Sequence, residues 1–141
     1  MKISARNILV GTVSKVTKGA VNSEVDLTLT GGDKIAAIIT NESVDTLGLK
    51  EGKKACAILK ASWVILGKDL DPKKISTRNV LKATVTKVQE GAVNTEVQLK
   101  LSGGAELTAI ITKESCHTLG LKAGEQASAA FKASSVIVGV E

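Results

Sequence analysis

The feature that most constrains this chain is internal repetition. Shifting the sequence by 72 residues lays residues 1–69 on residues 73–141 without a gap, and about 40 positions are identical. Ile3-Ser4-Ala5-Arg6-Asn7 returns as Ile75-Ser76-Thr77-Arg78-Asn79, and Gly19-Ala20-Val21-Asn22 returns as Gly91-Ala92-Val93-Asn94. Ile38-Ile39-Thr40, Leu47-Gly48-Leu49-Lys50 and Lys60-Ala61-Ser62 return as Ile110-Ile111-Thr112, Leu119-Gly120-Leu121-Lys122 and Lys132-Ala133-Ser134. A fixed period of this kind means two copies of one structural unit. The expected boundaries are 1–68 for the first unit, 69–72 for a linker and 73–141 for the second. The linker region is short and polar and holds the only proline, Pro72. Units near 70 residues bury small cores, so the two gain from docking on each other.

Each copy reads as β structure with one short helix. Leu9, Gly11, Val13 and Lys15 alternate with Val10, Thr12, Ser14 and Val16. Val25, Leu27 and Leu29 alternate with Asp26, Thr28 and Thr30, the pattern of a half-buried strand. Gly31-Gly32 predicts a tight hairpin into a third strand over Lys34–Thr40. A two-turn helix is expected over Asn41–Leu47, capped by Thr40 or Asn41 and closed by Gly48. Lys53–Lys60 and Trp63–Leu66 supply two more strands. The resulting fold class is all-β, with two tandem OB-like five-stranded barrels, each carrying one short helix. Another small barrel fits the same pattern.

Several function classes are disfavoured. No Walker loop, dinucleotide fingerprint or Gly-x-Ser-x-Gly is present. The one histidine, His117, aligns with Asp45 and so is not duplicated. Glu24 and Glu96 are expected to be plain surface acids. No catalytic constellation emerges, and the chain is not expected to be an enzyme. Cys56 aligns with Ser128, and Cys116 with Val44, so neither a disulfide nor a zinc framework is expected. No run approaches the ~18 apolar residues of a membrane helix. The start lacks a signal-peptide core, so a cytoplasmic location is expected, with no membrane partner. Trp63 and Phe131 are the only large rings, and Tyr is absent. A nucleic-acid-binding OB protein would want aromatic platforms for bases.

The formal net charge is +5, which favours anionic partners without naming them. An oxyanion needs converging donors and no inward acceptors. Ser4-Ala5-Arg6 and Ser76-Thr77-Arg78 offer a hydroxyl, a guanidinium and local N–H groups. Lys60-Ala61-Ser62 and Lys132-Ala133-Ser134 offer the same between two strands, with a small central residue that admits close approach. Gly19–Asn22 and Gly91–Asn94 read either as turns, with Gly in a left-handed conformation, or as nests of N–H groups. Thr40 and Ser43 face the same choice between capping a helix and meeting an anion.

Ser-x-Arg-Asn, Gly-Ala-Val-Asn, Ile-Thr-x-Glu-Ser, Leu-Gly-Leu-Lys-x-Gly and Lys-Ala-Ser, in this order and twice over, resemble the Mop domain of the molbindins. Two tandem copies resemble the di-Mop members. The resemblance implies binding of molybdate, and of tungstate, in the cytoplasm, for storage or homeostasis, with no other cofactor. It implies a homo-oligomer of three two-domain chains with oxyanion sites where modules meet. One class would use Ser4, Ala5, Arg6, Lys60, Ala61 and Ser62 with Ser76, Thr77, Arg78, Lys132, Ala133 and Ser134. A second would use Gly19, Ala20, Val21, Asn22, Ile39, Thr40 and Ser43 with Gly91, Ala92, Val93, Asn94, Ile111, Thr112 and Ser115. The oxyanion would be held by hydrogen bonds, without direct metal ligands. The rivals are an OB-type nucleic-acid binder, a binder of sulfate or phosphate, and a pterin carrier.

Overall fold

The computed structural model describes residues 1–141. The first repeat forms β1 (Asn7–Lys18), β2 (Asn22–Leu29), β3 (Lys34–Thr40), α1 (Asn41–Leu47), β4 (Lys54–Leu59) and β5 (Ile65–Gly67). The second forms β6 (Asn79–Glu90), β7 (Asn94–Leu101), β8 (Glu106–Thr112), α2 (Lys113–Leu119), β9 (Gln126–Phe131) and β10 (Ile137–Gly139). The third strand and the helix of the first repeat lie where the sequence places them. Thr40 caps α1 by accepting from the Ser43 amide, and Gly48 closes it in the left-handed region at φ 62°.

The two five-stranded sheets are not each built from one repeat. Their orders are β10-β4-β1-β2-β3 and β5-β9-β6-β7-β8. The fifth strands are exchanged, so β10 pairs with β4 and β5 pairs with β9, both antiparallel. The expected strand over Trp63–Leu66 starts later for the same reason. A 3₁₀ turn over Ala61–Trp63, closed by Trp63 N–H to the Lys60 carbonyl at 3.0 Å, turns the chain away from its own barrel. Ala61 is buried there, as is Ala133 in the matching turn. A larger side chain would hold the turn off β8, against which it packs.

The alternation in β1 also breaks. Val13 pairs with Leu27 but Lys15 pairs with Asp26, which leaves Ser14 as the extra residue of a bulge. The phase flips there, so Lys15 points to solvent and Val16 packs on the core. Thr86 makes the same bulge in β6.

One apolar cluster of 28 buried residues runs through both halves. Val25, Leu27, Val97 and Leu99 are at most 1% exposed. Each such side chain contributes roughly 1.5–3 kcal/mol on burial. Phe131 lies inside this core, while Trp63 is 40% exposed. Only one of the two rings is therefore placed to stack on anything outside.

Candidate functional site

The seam between the repeats is built from reciprocal contacts. β3 and β8 are edge strands, whose outer N–H and C=O groups need partners. The Asn79 carboxamide supplies both to Ala36, donating to its carbonyl and accepting from its amide, each at 2.8 Å. Asn7 does the same for Thr108, at 2.8 and 2.7 Å. Both asparagines are 3% exposed. Beside them, Arg6 pairs with Glu96 and Arg78 with Glu24, at 2.5 and 2.6 Å. Glu24 and Glu96, expected as plain surface acids, are thus the partners of the two arginines across the seam.

The two acids are not electrostatically alike. The hydrogen bond from Arg6 holds the Glu96 carboxyl below its ordinary range, with help from Gln98. Glu24 is pushed up, first by burial and then by Asp26, despite Arg78. Asp26 stands where the second repeat has Gln98, so a carboxylate replaces a donor.

The first expected set of anion residues comes together at the end of one strand pair. Asn7 pairs with Leu59, so Ser4-Ala5-Arg6 runs into β1 beside the exit of β4 into Lys60-Ala61-Ser62. In the second repeat the Thr77 hydroxyl donates to the Phe131 carbonyl at 2.6 Å, which ties the two segments directly. Ala5, its counterpart, lacks that tie. Ser4, Ser62, Lys60 and Lys132 are exposed, as are Ser76 and Ser134, and neither lysine has an ion-pair partner.

The second set also assembles. Asn22 pairs with Thr40 and Ser23 with Ile39, which sets the Gly19–Asn22 corner beside the start of α1. Asn94 pairs with Thr112 and Thr95 with Ile111 in the other copy. Gly19 is not left-handed, contrary to the turn reading. Its amide donates to the Asn22 carbonyl at 2.8 Å, and a Cβ would sit 2.8 Å from that oxygen. Glycine is needed there for closeness rather than for φ. The Thr40 and Thr112 hydroxyls accept from the Ser43 and Ser115 amides, both at 3.1 Å, so both act as helix caps.

Strand exchange brings members of the two sets into one groove. Ser62 of the first repeat faces Asn94, Ile111, Thr112 and Ser115 of the second across an open cavity of about 620 Å³. The groove is rich in hydroxyls and also takes in Glu114, but no lysine or arginine lines it. The groove walls therefore offer donors without the positive charge that a dianion calls for, and Lys113, between Thr112 and Glu114 in sequence, is not among them. Sequence reasoning gave Asn7 and Asn79 no role of their own. The retained Arg-Asn pair before each first strand was the available signal.

A sequence model of the TOBE domain matches residues 3–66 and again 75–138. The chain belongs to the TOBE domain family. Its two units match those of known proteins in tandem. It is 46% identical over 138 residues to the molybdenum-pterin-binding protein MopA of Rhodobacter capsulatus, covering 98% of this chain and 52% of MopA. It is 43% identical over 141 residues to the molybdenum transport protein ModE of Azotobacter vinelandii, covering 99% of this chain and 52% of ModE. The chain thus spans about half the length of these relatives. A solved structure of the cytoplasmic molybdate-binding protein ModG, with molybdate bound, superposes with a TM-score of 0.93 at 52% identity, covering 100% of both chains. The tandem OB-like arrangement of five-stranded units is that of ModG, and the di-Mop resemblance stands.

Proposed function

We propose that this TOBE chain binds molybdate, and tungstate with it, as a cytoplasmic store or buffer rather than as an enzyme. The observation that carries this is the full-length match to molybdate-bound ModG, made by two units that each repeat the same hydroxyl and cation segments. The units are 1–68 and 73–141, joined by 69–72. The ligand is held by hydrogen bonds from the Ser4–Arg6 and Lys60–Ser62 segments with their counterparts, and at the Gly19–Asn22 and Gly91–Asn94 corners with Thr40, Ser43, Thr112 and Ser115.

The working form is a homotrimer. The groove at Ser62 and Thr112 lacks a cation of its own, while Lys60 and Lys132 are exposed and unpaired. A neighbouring copy that brings a lysine to such a groove completes the site, and the anion then stabilises the assembly.

Calorimetric titration of the full chain tests the reading, with molybdate and sulfate as ligands. Molybdate binding at least about tenfold tighter than sulfate, a gap of about 1.4 kcal/mol, is expected. Replacing Lys60 and Lys132 together with Met keeps the stems and removes the charges. Loss of a charge-assisted bond should weaken part of the binding by roughly 1.5–3 kcal/mol, with the sheet signal in circular dichroism unchanged. Equal affinity for sulfate would reduce the chain to a general anion binder. Unchanged binding in the double variant would remove the lysines from the site.

A further inference from the structure

The two Gly-Ala-Val-Asn corners carry the same four residues but are held differently. In the first, Asn41 is a brace. Its Nδ2 donates to the Gly19 carbonyl at 2.9 Å, and its Oδ1 accepts from the Ser23 hydroxyl. Ser23 is 1% exposed, so this bond satisfies a buried hydroxyl. In the second corner Lys113 takes the place of Asn41, and Thr95 that of Ser23. Thr95 is 0% exposed and its hydroxyl has no hydrogen-bond partner. It is the one buried side-chain polar atom in the protein left in that state.

Lys113 is a costly residue at this place. A buried hydroxyl without a partner is destabilising. The Gly91 carbonyl loses the donor that Gly19 has. A cation in the first turn of a helix also opposes the peptide dipoles, whatever the length of the helix. Nothing in the chain offsets these costs, because the half-buried Lys113 has neither an ion pair nor a side-chain hydrogen bond. Yet its backbone is fixed as Asn41's is, with the amide donating to the Val93 carbonyl at 2.9 Å against 2.8 Å for Asn41 to Val21. The stem of Lys113 therefore starts at the corner, between Thr112 and Glu114, which both line the groove, and its length lets the ammonium reach an anion there. A residue that weakens the fold at a site and gains nothing within the chain points to a gain on binding.

We propose that Lys113 is an affinity-determining residue: it makes the two corners unequal, giving up the brace of the first to supply an ammonium to the oxyanion held at the second. This rests on the proposed oxyanion reading of the corners. The first corner is pre-formed and neutral. The second has the same backbone bonds but lacks the brace and has Lys113 beside it, so it takes the doubly charged anion more tightly and with a steeper dependence on salt.

The experiment is a swap, read by molybdate titration at low and high salt and by thermal unfolding without ligand. Lys113→Asn restores the brace and removes the charge. It is expected to raise the ligand-free unfolding temperature and to weaken one subset of sites by about tenfold, the scale of one charge-assisted bond. Lys113→Met removes the charge without restoring the brace. It should weaken the same sites with no rise in unfolding temperature, while Lys113→Arg should keep the binding. A purely structural role would move stability and leave the salt dependence of binding alone. Parent-like isotherms at both salt concentrations for Lys113→Asn and Lys113→Met overturn the proposal. Absence of molybdate binding by the unaltered chain overturns the oxyanion reading itself, and the proposal with it.

Discussion

The seam between the repeats and the outer corners of the barrels have diverged to different degrees. At the seam, Asn7 and Asn79, Arg6 and Arg78, Glu24 and Glu96, Ala61 and Ala133, and Gly31 and Gly103 are the same residue in both copies. At the corners the Gly-Ala-Val-Asn segments are also the same, but several residues packed around them are not. Lys18 pairs with Asp45 in the first copy at 2.9 Å, whereas Glu90 pairs with His117 in the second, so the acid moves from the helix to the strand. Asn41 has become Lys113, and Val44 has become Cys116. The difference is one of partners. Lys18–Asp45 and Glu90–His117 each lie within one repeat, so such a pair can change together within one copy. The asparagines, arginines and glutamates of the seam must fit a surface that belongs to the other copy, which holds them alike. Ala36 and Thr108 differ, because only their backbone groups are used there.

The largest expected effect follows from cutting the seam. Replacing Asn7 with Ala leaves the Thr108 amide and carbonyl without their partner, and replacing Asn79 does the same for Ala36. Each pair of backbone groups left without partners should cost about 2–6 kcal/mol, from roughly 1–3 for each of the two groups. The two single variants should lose similar amounts in urea unfolding, and the double variant should unfold at the lowest concentration. If Asn7→Ala and Asn79→Ala differed widely, the reciprocity of the seam would be broken as an explanation.

A smaller loss is expected where the two hairpins meet. A Cβ on Gly31 would lie 2.0 Å from the Gly103 carbonyl oxygen, and Gly31 also has φ +102°. A Cβ on Gly103 would lie 2.5 Å from the Gly31 carbonyl oxygen, with no unusual φ. Gly31→Ala adds backbone strain to overlap and should cost about 2–4 kcal/mol, because the exposed hairpin can shift to relieve part of the overlap. Gly103→Ala suffers overlap alone and should cost less. Thermal unfolding of the two variants decides this, and an equal loss would show that strain at Gly31 matters little.

Much of this architecture was legible in the sequence, because the repeat, the alternation in β2 and the Thr40 and Gly48 helix boundaries are local signals. The exchange of β5 and β10 was not. A three-residue strand has the same pattern whichever sheet it joins, and the 3₁₀ turn that redirects it depends on Ala61 seating against β8. The flip after Val13 was hidden for a similar reason, since a bulge shows only in the register with a partner strand. The anion segments were legible as donor clusters. Their grouping was not, because Ser62 and Thr112 meet only through the exchange. The roles of Asn7 and Glu96 were equally hidden, since each acts on a residue about 90 or more positions away.

The smallest effect separates the two ion pairs of the seam. Glu96 is lowered by Arg6, so its folded-state carboxyl holds its charge to lower pH than in the unfolded chain. That contribution is present at neutral pH and is lost as pH falls through the lowered value. Glu24 is raised by burial and Asp26, so its sign is opposite. Its folded form binds a proton more readily, which favours folding at acid pH and counts against it as pH rises through the raised value. Both arginines are about half exposed, at 49% and 58%, so screening by water keeps each effect near the 0.2–1 kcal/mol of surface pairs. Glu96→Gln should therefore lower stability at pH 7 by up to about 1 kcal/mol and lose that effect below about pH 4. Glu24→Gln should be neutral or slightly stabilising at pH 7, since it removes a carboxylate from beside Asp26. Urea unfolding of both variants at pH 7 and pH 3.5 measures the difference. Equal losses at pH 7 would mean that Asp26 does not offset Arg78, and that the two halves of the seam are electrostatically the same.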